Sequence, residues 1–356
     1  MKCLILVLLS FLTAANLYAD KADEHIREEM KKREIPGLAI TIVQNGRAVK
    51  TSSYGAANLE WGNRVTKETA FEIGSTTKQF TASAIMLLVQ DGKLSLDDKI
   101  AKHLKNTPAH WTNITVRQLL NHTSGIKSYT GINNGQGFEL TKRLSQEQFI
   151  ESIGAYPLEY QPGDAWKYCN SAYNLLGYII ENLSGKTYFE FLGERIFNPL
   201  GMTATTNREP SVLIPYRASG YEKNRQGKLV NRDYDLTDIG AAGAIVSTVG
   251  DMAKWDAALN SEKILSAASK SEMWTITQLN NGTTKNYGLG WYVDTLEGHT
   301  NIGHSGSTSG FSASFQRFPD NKLTIIVFCN SGEGGVATAL AKKIATFYLP
   351  EIVVKK

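Results

Sequence analysis

The sequence predicts an α+β protein with one antiparallel sheet assembled from both ends of the chain. Near the start, extended runs at residues 38–43 and 49–54 flank Asn45-Gly46, which is a strong signal for a two-residue hairpin turn. Near the end, runs at 311–318 and 323–329 flank a second predicted turn. Strand-rich ends on either side of a helical and loop-rich middle suggest one antiparallel sheet built from both termini.

Helical patterns accompany both hairpins. A charged amphipathic stretch at 22–33 ends before Pro36, and a second helical stretch at 336–349 closes the chain. The middle is rich in helical and loop patterns, so we expect terminal helices on one face of the sheet and a largely helical inserted lobe at about residues 76–285.

Composition excludes several classes of protein. With 356 residues, 42% of them hydrophobic, the chain can bury the core of one large domain. The net charge of +4 is spread without a basic run, which argues against a nucleic-acid partner. The six histidines show no H-E-x-x-H or C-x-x-C companion spacing, so we expect no metal and no cofactor.

The N-terminus has the pattern of a secretory signal peptide. Lys2 precedes a short apolar core at residues 4–12, and Ala19 stands before the polar Asp20. We expect cleavage after Ala19 and a secreted or periplasmic mature chain, residues 20–356, near the cell envelope. An uncleaved N-terminal anchor is the alternative. Cys169 and Cys329 then remain; one disulfide is open to them, but we favour two separate thiols.

The most informative stretch is Gly74-Ser75-Thr76-Thr77-Lys78, at the head of an apolar helical run. Spacing of i, i+3 places Ser75 and Lys78 side by side on a helix. A serine hydroxyl needs a base to act as a nucleophile, and burial lowers the pKa of a lysine, which would make Lys78 such a base. A capping serine with a surface lysine is the plainer interpretation.

The same spacing recurs at Ser124 and Lys127, which makes the pattern weak by itself. Ser124 lies in a Thr-Ser-Gly loop and not at the start of an apolar helix, so we interpret it as a loop residue.

Two further motifs carry candidate chemistry. Tyr168-Cys169-Asn170 is the only Y-x-N in the chain; the tyrosine could share a proton with Lys78 and Ser75, and the asparagine amide could hold a substrate carbonyl. A helix cap with an interfacial tyrosine is the structural alternative.

The other motif is His304-Ser305-Gly306-Ser307, which leads into the strand at 311. Glycine in an edge strand lets a ligand backbone approach, and the amide beyond it can donate to an oxyanion. A Gly/Ser-rich turn is the alternative.

With these three motifs, at 75, 168 and 304, the chain resembles the serine β-lactamase and penicillin-recognising enzyme superfamily, in the branch of class C β-lactamases, D-alanyl-D-alanine carboxypeptidases and related esterases. Supporting stretches, such as Leu119-Leu120-Asn121-His122-Thr123-Ser124-Gly125 and Tyr287-Gly288-Leu289-Gly290-Trp291, extend the resemblance over nearly all of the mature chain.

The resemblance implies a β-lactamase/transpeptidase-like fold and acyl transfer to a small-molecule or peptide substrate. Ser75 would be the nucleophile, Lys78 or Tyr168 its base, and the backbone N–H groups of Ser75 and Ser307 the oxyanion donors. Asn170, His304, Ser305, Gly306 and Ser307 would bind substrate.

Departures from the superfamily pattern limit which of these roles can be assigned to this chain. No S-x-N occurs, which separates the chain from class A β-lactamases. His304 replaces the usual lysine, so a permanent cation for a substrate carboxylate is missing; we expect acid pH to supply it by protonating His304. Cys169, where serine or alanine is usual, is interpreted as packing.

Rival functions remain at this point. A penicillin sensor or scaffold that acylates with little turnover would keep the same motifs. An α/β-hydrolase lipase would need G-x-S-x-G, which residues 303–307 miss at their last position. A pure binding module would have no reason to pair Ser75 with Lys78. D-peptide, small ester and β-lactam substrates all fit, since specificity would lie in loops such as 130–144 and 211–238.

Overall fold

The computed structural model describes residues 21–132, 144–209, 211–232 and 240–351. Within these ranges the strands are β1 Gly37–Gln44, β2 Arg47–Asn58, β3 Asn63–Arg64, β4 Phe71–Glu72, β5 Thr206–Asn207, β6 Tyr221–Lys223, β7 Leu229–Asn231, β8 Ile245–Ser247, β9 Thr277–Gln278, β10 Thr284–Lys285, β11 Tyr292–Leu296, β12 His299–Thr308, β13 Phe311–Phe318 and β14 Leu323–Cys329. The described α-helices are α1 21–33, α2 Lys78–Gln90, α3 Val116–Leu120, α4 Gln146–Gly154, α5 Asn170–Ser184, α6 Tyr188–Leu192, α7 Asn198–Leu200, α8 Gly240–Gly243, α9 Val249–Leu259, α10 Ala267–Met273 and α11 Val336–Tyr348.

The main sheet joins the two ends of the chain, as the hairpin pattern predicts. Its seven strands run in the order β11-β12-β13-β14-β1-β2-β3, and β1 pairs antiparallel with β14, with Leu38 opposite Cys329. The first hairpin turns at Asn45 and Gly46, which both have positive φ (54° and 75°), as a type I′ turn requires. The predicted fold class is therefore confirmed.

Each face of this sheet covers a separate core. The terminal helices α1 and α11 pack on one face, where Ile26 and Leu340 meet alternate residues of β1 such as Leu38 and Ile40. The other face, with Phe315 of β13, packs against the helical lobe. The period-2 alternation of strand side chains explains how one strand serves two cores.

The helical lobe is centred on α2, whose residues from Lys78 to Leu88 are buried. A small sheet in the order β4-β8-β5 connects the lobe to the main sheet, with Phe71 opposite Ser247. As a result, the segment that carries Ser75 begins where sheet and lobe meet. The lobe limits at about 76–285 stay a prediction.

Some expectations fall outside the described residues. The predicted signal peptide, residues 1–19, lies outside them, as do parts of the two predicted specificity loops, residues 133–143 and 233–238. Among the described helices, none is long and apolar enough to span a bilayer. Cys169 and Cys329 are buried free thiols, which confirms the prediction of two separate thiols.

Candidate active site

Ser75 lies in a single 3-10 turn, Gly74–Thr77, that continues directly into α2. Gly74 takes a φ of +49°, and a Cβ atom added there would lie 2.8 Å from the backbone nitrogen of Ser307. Glycine is therefore required at position 74 both by its backbone conformation and by the close approach of β12. The sequence predicted a helix start at Ser75, and the structure differs only in making its first turn a 3-10 turn.

Lys78 stands beside Ser75, with its Nζ atom 3.2 Å from Ser75 Oγ. The same Nζ donates to Asn170 Oδ1 and to the backbone carbonyl of Ala242, each at 2.8 Å. The side chain is wholly buried, and burial lowers its pKa well below the usual 10.5. The lysine is thus held in place by two acceptors and is pushed toward its neutral form.

Tyr168 lies against Lys78, whose Nζ is 4.7 Å from the centre of the phenol ring. Burial raises the pKa of Tyr168 well above 10, although a hydrogen-bonding interaction with Ser75 opposes this shift. No described residue lies within normal hydrogen-bond geometry of the Tyr168 hydroxyl, so its contact with Ser75 is loose. The phenol therefore remains protonated at neutral pH.

Cys169 and Asn170 have different roles at the start of α5. Cys169 is the N-cap of α5, where its sulfur accepts from the N–H of Ala172 at 3.4 Å. Burial raises the pKa of the thiol to about 12, which suits packing and not nucleophilic chemistry. Asn170 is the first residue of α5 and turns Oδ1 toward Lys78, which leaves its amide nitrogen as a donor for a ligand.

The motif at residues 304–307 lies on β12, next to Ser75. A Cβ atom on Gly306 would lie 1.8 Å from the carbonyl oxygen of Ile73 and 3.1 Å from the backbone nitrogen of Ser75. Only glycine lets the two backbones come this close. Ser305 and Ser307 flank Gly306, and Ser307 is exposed.

One edge of this part of β12 is open in the described chain. The register between β11 and β12 ends with Tyr292 opposite Gly303, while β13 continues to pair with β12 as far as Thr308. The backbone from His304 to Thr308 thus has no described strand on its β11 side, and this edge runs beside Ser75.

His304 is buried and both of its ring nitrogens are engaged. Nδ1 is 2.6 Å from the carbonyl oxygen of Ser305, and Nε2 is 3.0 Å from the hydroxyl of Tyr287. The carbonyl can only accept, so Nδ1 carries the proton and Nε2 accepts from Tyr287. Burial lowers the pKa of His304 to about 3, and a protonated Lys78 would act in the same direction.

This geometry corrects one expectation from the sequence. A histidine with a pKa of about 3 gains no proton between pH 5.5 and 8, so His304 does not supply a cation in that range. From the sequence, we expected this ring to gain a proton as the pH falls. The aromatic contacts that enclose it, from Tyr168, Tyr287 and Tyr292, come from residues outside its own motif.

Sequence patterns missed three contributors to this site. The carbonyl of Ala242 has no side-chain signature, and Tyr287 and His122 lay in stretches to which no role was assigned. Ser124, the serine of the second S-x-x-K spacing, is confirmed as a loop residue. It is buried, and its hydroxyl accepts a hydrogen bond from the N–H of Ile126 at 3.3 Å.

The fold, with a serine and a buried lysine where sheet and helical lobe meet, defines a protein of the serine β-lactamase fold. The family model described as Beta-lactamase matches residues 22–347. The chain belongs to this family.

Two named proteins are similar to this chain over most of its length. Penicillin-binding protein 4* of Bacillus subtilis is 30% identical over 323 residues, which cover 85% of this chain and 70% of that protein. Protein flp of Staphylococcus aureus is 29% identical over 315 residues, or 86% of this chain, and this chain spans only 62% of its length.

Solved structures include a D-amino acid amidase from Ochrobactrum anthropi, with a TM-score of 0.80 and 26% identity, covering 92% of this chain and 98% of that one. An octameric penicillin-binding protein homologue from Pyrococcus abyssi has a TM-score of 0.80 and 31% identity, covering 94% of this chain and 78% of that one.

Proposed function

We propose that this chain is an exported serine hydrolase that acts through a covalent acyl-enzyme on amide or ester carbonyls. The observation that carries the proposal is the 3.2 Å approach of the buried Lys78 Nζ to Ser75 Oγ. A surface lysine beside a capping serine would be solvated and charged, whereas this lysine is buried and has a lowered pKa.

The hydrogen bonds around Lys78 favour it as the base. A neutral amine has two N–H donors and one lone pair. The Ala242 carbonyl can only accept, and Asn170 presents its Oδ1 acceptor, so the two N–H groups point at these oxygens. The lone pair is then left for the proton of Ser75. Ser75 Oγ would form a bond to the substrate carbonyl carbon as its proton moves to Lys78 Nζ.

Tyr168 fits the role of acid or relay better than that of base. Because burial raises its pKa well above 10, a phenolate is costly in this site, whereas the neutral hydroxyl can pass a proton to the leaving group. As the bond to the leaving nitrogen or oxygen breaks, that atom would take the Tyr168 proton while the proton held by Lys78 replaces it on the phenol oxygen, which restores the neutral lysine and phenol. Water would later hydrolyse the Ser75 ester.

The backbone supports the developing oxyanion. The close packing of Gly74 and Gly306 brings the backbone nitrogens of Ser75 and Ser307 to the same junction. Two preorganised N–H donors at this point would bind the tetrahedral oxygen. The Asn170 amide nitrogen and the open edge of β12, including Ser305, would hold the substrate on either side.

The substrate class follows from the neutral state of His304. In a site where His304 carries no charge, amides and esters without a leaving-group carboxylate are favoured over cephalosporins. The Ochrobactrum anthropi relative is named a D-amino acid amidase, and a Streptomyces relative of 28% identity is named a D-stereospecific amidohydrolase. We therefore propose D-amino acid amides and short esters as the preferred substrates, with D-peptides that end in a free carboxylate less favoured.

Covalent labelling tests the nucleophile. A fluorophosphonate should label the wild-type protein and leave Ser75→Ala unlabelled, with the adduct mapped to Ser75 by peptide mass spectrometry. Ser124→Ala is the matched control, because it removes a buried loop serine of the same S-x-x-K pattern, and it should label normally. Label retained on Ser75→Ala would contradict the proposal.

A side-by-side substrate panel tests the reaction. In a panel of a nitrophenyl ester, a D-amino acid amide, a D-Ala-D-Ala peptide and a chromogenic cephalosporin, the last two, which carry a leaving-group carboxylate, should rank below the first two. The alternative function is a penicillin-binding sensor or scaffold; it would give one burst of product equal to the protein concentration and no steady state.

Export is a separate part of the proposal. The mature protein should begin at Asp20, which intact-mass measurement of the expressed native chain can establish. An uncleaved chain in the membrane fraction would instead support the N-terminal anchor.

A further inference from the structure

His122 brackets Tyr168 from both sides along the chain. Its carbonyl oxygen accepts from the backbone N–H of Lys167 at 3.0 Å, and its Nδ1 accepts from the backbone N–H of Cys169 at 3.1 Å. One residue therefore holds both neighbours of Tyr168. His122 is wholly buried and has a φ of +63°, a left-handed conformation that aims its carbonyl and ring at the same segment.

The ring of His122 also packs on the phenol. The two ring centres are 4.4 Å apart with a 41° tilt, while Lys78 Nζ contacts the same phenol ring at 4.7 Å from its centre. The Tyr168 hydroxyl has no hydrogen bond of normal geometry among the described residues. Its direction must therefore be set by whatever holds its ring and backbone, and His122 does both.

Burial keeps the His122 ring neutral, as its hydrogen bond to the Cys169 N–H requires. Burial lowers the pKa of His122 well below 6.5, and Lys78 or His304, when protonated, would act in the same direction. The ring is then neutral at neutral pH, so Nδ1 remains an acceptor for the Cys169 N–H. Trp166, Tyr173 and Tyr287 complete the aromatic enclosure of this ring.

We propose that His122 is a positioning residue that holds the Tyr168 hydroxyl toward Ser75 and so acts on acyl transfer through Tyr168. This inference rests on the proposed serine hydrolase function. The hydrogen bonds and ring contacts of His122 described above go to the segment of Tyr168 and its aromatic neighbours, so its effect should disappear when the Tyr168 hydroxyl is absent.

Two variants of His122 separate the hydrogen bond from the bulk of the ring. His122→Asn puts Oδ1 at the position of Nδ1, and asparagine tolerates a left-handed backbone. His122→Phe keeps a ring and removes the acceptor. We expect His122→Phe to lower the second-order rate of fluorophosphonate labelling, and kcat for a nitrophenyl ester, by about 10- to 100-fold with KM unchanged. His122→Asn should stay within about fivefold of wild type.

The decisive comparison repeats His122→Phe in a Tyr168→Phe background. There the further loss should be under about threefold, because the group that His122 positions is gone. An equal loss in both backgrounds, or His122→Phe labelling at the wild-type rate, would overturn the inference. If His122→Phe fails to fold by circular dichroism, His122→Ala removes the acceptor without added volume and takes its place in both backgrounds.

Failure of this inference can be distinguished from failure of the proposed function. Loss of labelling in Ser75→Ala with normal labelling in the wild type upholds the nucleophile whatever the His122 variants do. Labelling of Ser75→Ala would remove the basis of both proposals.

Discussion

Glu72 accepts a hydrogen bond from Thr308 at 3.1 Å, which joins the strand before Ser75 to the end of β12. The second oxygen of the same carboxylate lies 3.1 Å from Arg208 and 3.1 Å from Arg217. Glu72 is only 2% exposed. A buried charge network thus fixes the distance between the segment with Ser75 and the strand with Ser307, the two sources of the proposed oxyanion donors.

Neutralising this carboxylate should cost both stability and activity. Glu72→Gln removes the carboxylate charge that Arg217 and the buried Arg208 contact, and breaking a buried ion pair typically costs about 3–5 kcal/mol of unfolding free energy. We expect a clear drop in the urea midpoint and slower labelling of Ser75. Glu194→Gln is the control, because it removes an exposed partner of Lys186, where ion pairs contribute about 0–1 kcal/mol. Equal effects of the two variants would argue against a structural role of Glu72.

Close backbone packing at Gly306 gives a second prediction. A methyl group there would lie 1.8 Å from the Ile73 carbonyl, so Gly306→Ala must separate β12 from the 3-10 turn. Losing one well-placed oxyanion donor lowers kcat by about 10²- to 10³-fold, and we expect a loss of at least that order. Gly334→Ala has open space around its Cβ and should leave turnover unchanged. Near wild-type turnover of Gly306→Ala would mean that the Ser307 amide is not an oxyanion donor.

The sequence was sufficient for the fold class because local signals agreed with the pairing. Asn45-Gly46 requires a turn, and the apolar runs on either side supply strands of the right length. The join between β1 and β14 could be predicted only in outline, since the register of Leu38 opposite Cys329 depends on contacts between chain ends.

The sequence predicted the parts of the site that are formed by side chains of recognisable motifs. It did not predict the part that is formed by a backbone carbonyl. Ser75, Lys78 and Asn170 come together as the motif spacing and resemblance suggested. The Ala242 carbonyl could not be predicted, because a backbone acceptor has no residue signature. The burial of His304 depends on rings from other segments, so its local sequence gave the wrong expectation for its protonation at acid pH.

Two buried neutral histidines predict a stability loss at acid pH. His304 has a pKa of about 3, and that of His122 lies well below 6.5, so the unfolded chain binds more protons than the folded one below pH 6.5. Stability is full above pH 6.5 and falls as pH decreases toward the folded pKa. With a folded pKa of about 3, His304 alone should remove about 1 kcal/mol by pH 5.5, and His122 should add to the loss in the same direction.

Urea unfolding from pH 7.5 to 5 measures this slope. The double variant His122→Asn with His304→Gln should flatten it, because neither replacement titrates. Ser124→Ala, which removes no titratable group, should keep the wild-type slope. A slope unchanged in the double variant would show that other groups dominate acid unfolding.

Lys78 and Tyr168 should behave as one proton-transfer unit. Lys78→Ala removes the base, and Tyr168→Phe removes the hydroxyl while keeping the ring against Lys78. Each change should lower kcat for a nitrophenyl ester by about 10²-fold or more, because a positioned acid or base contributes roughly 10²- to 10⁴-fold. The double variant should lose far less than the product of the two single losses, since one broken proton path cannot be broken twice. Steady-state kinetics of the four proteins at one pH gives the coupling directly. Independent, multiplicative losses would show that Lys78 and Tyr168 serve separate steps, and the relay role proposed for Tyr168 would then be wrong.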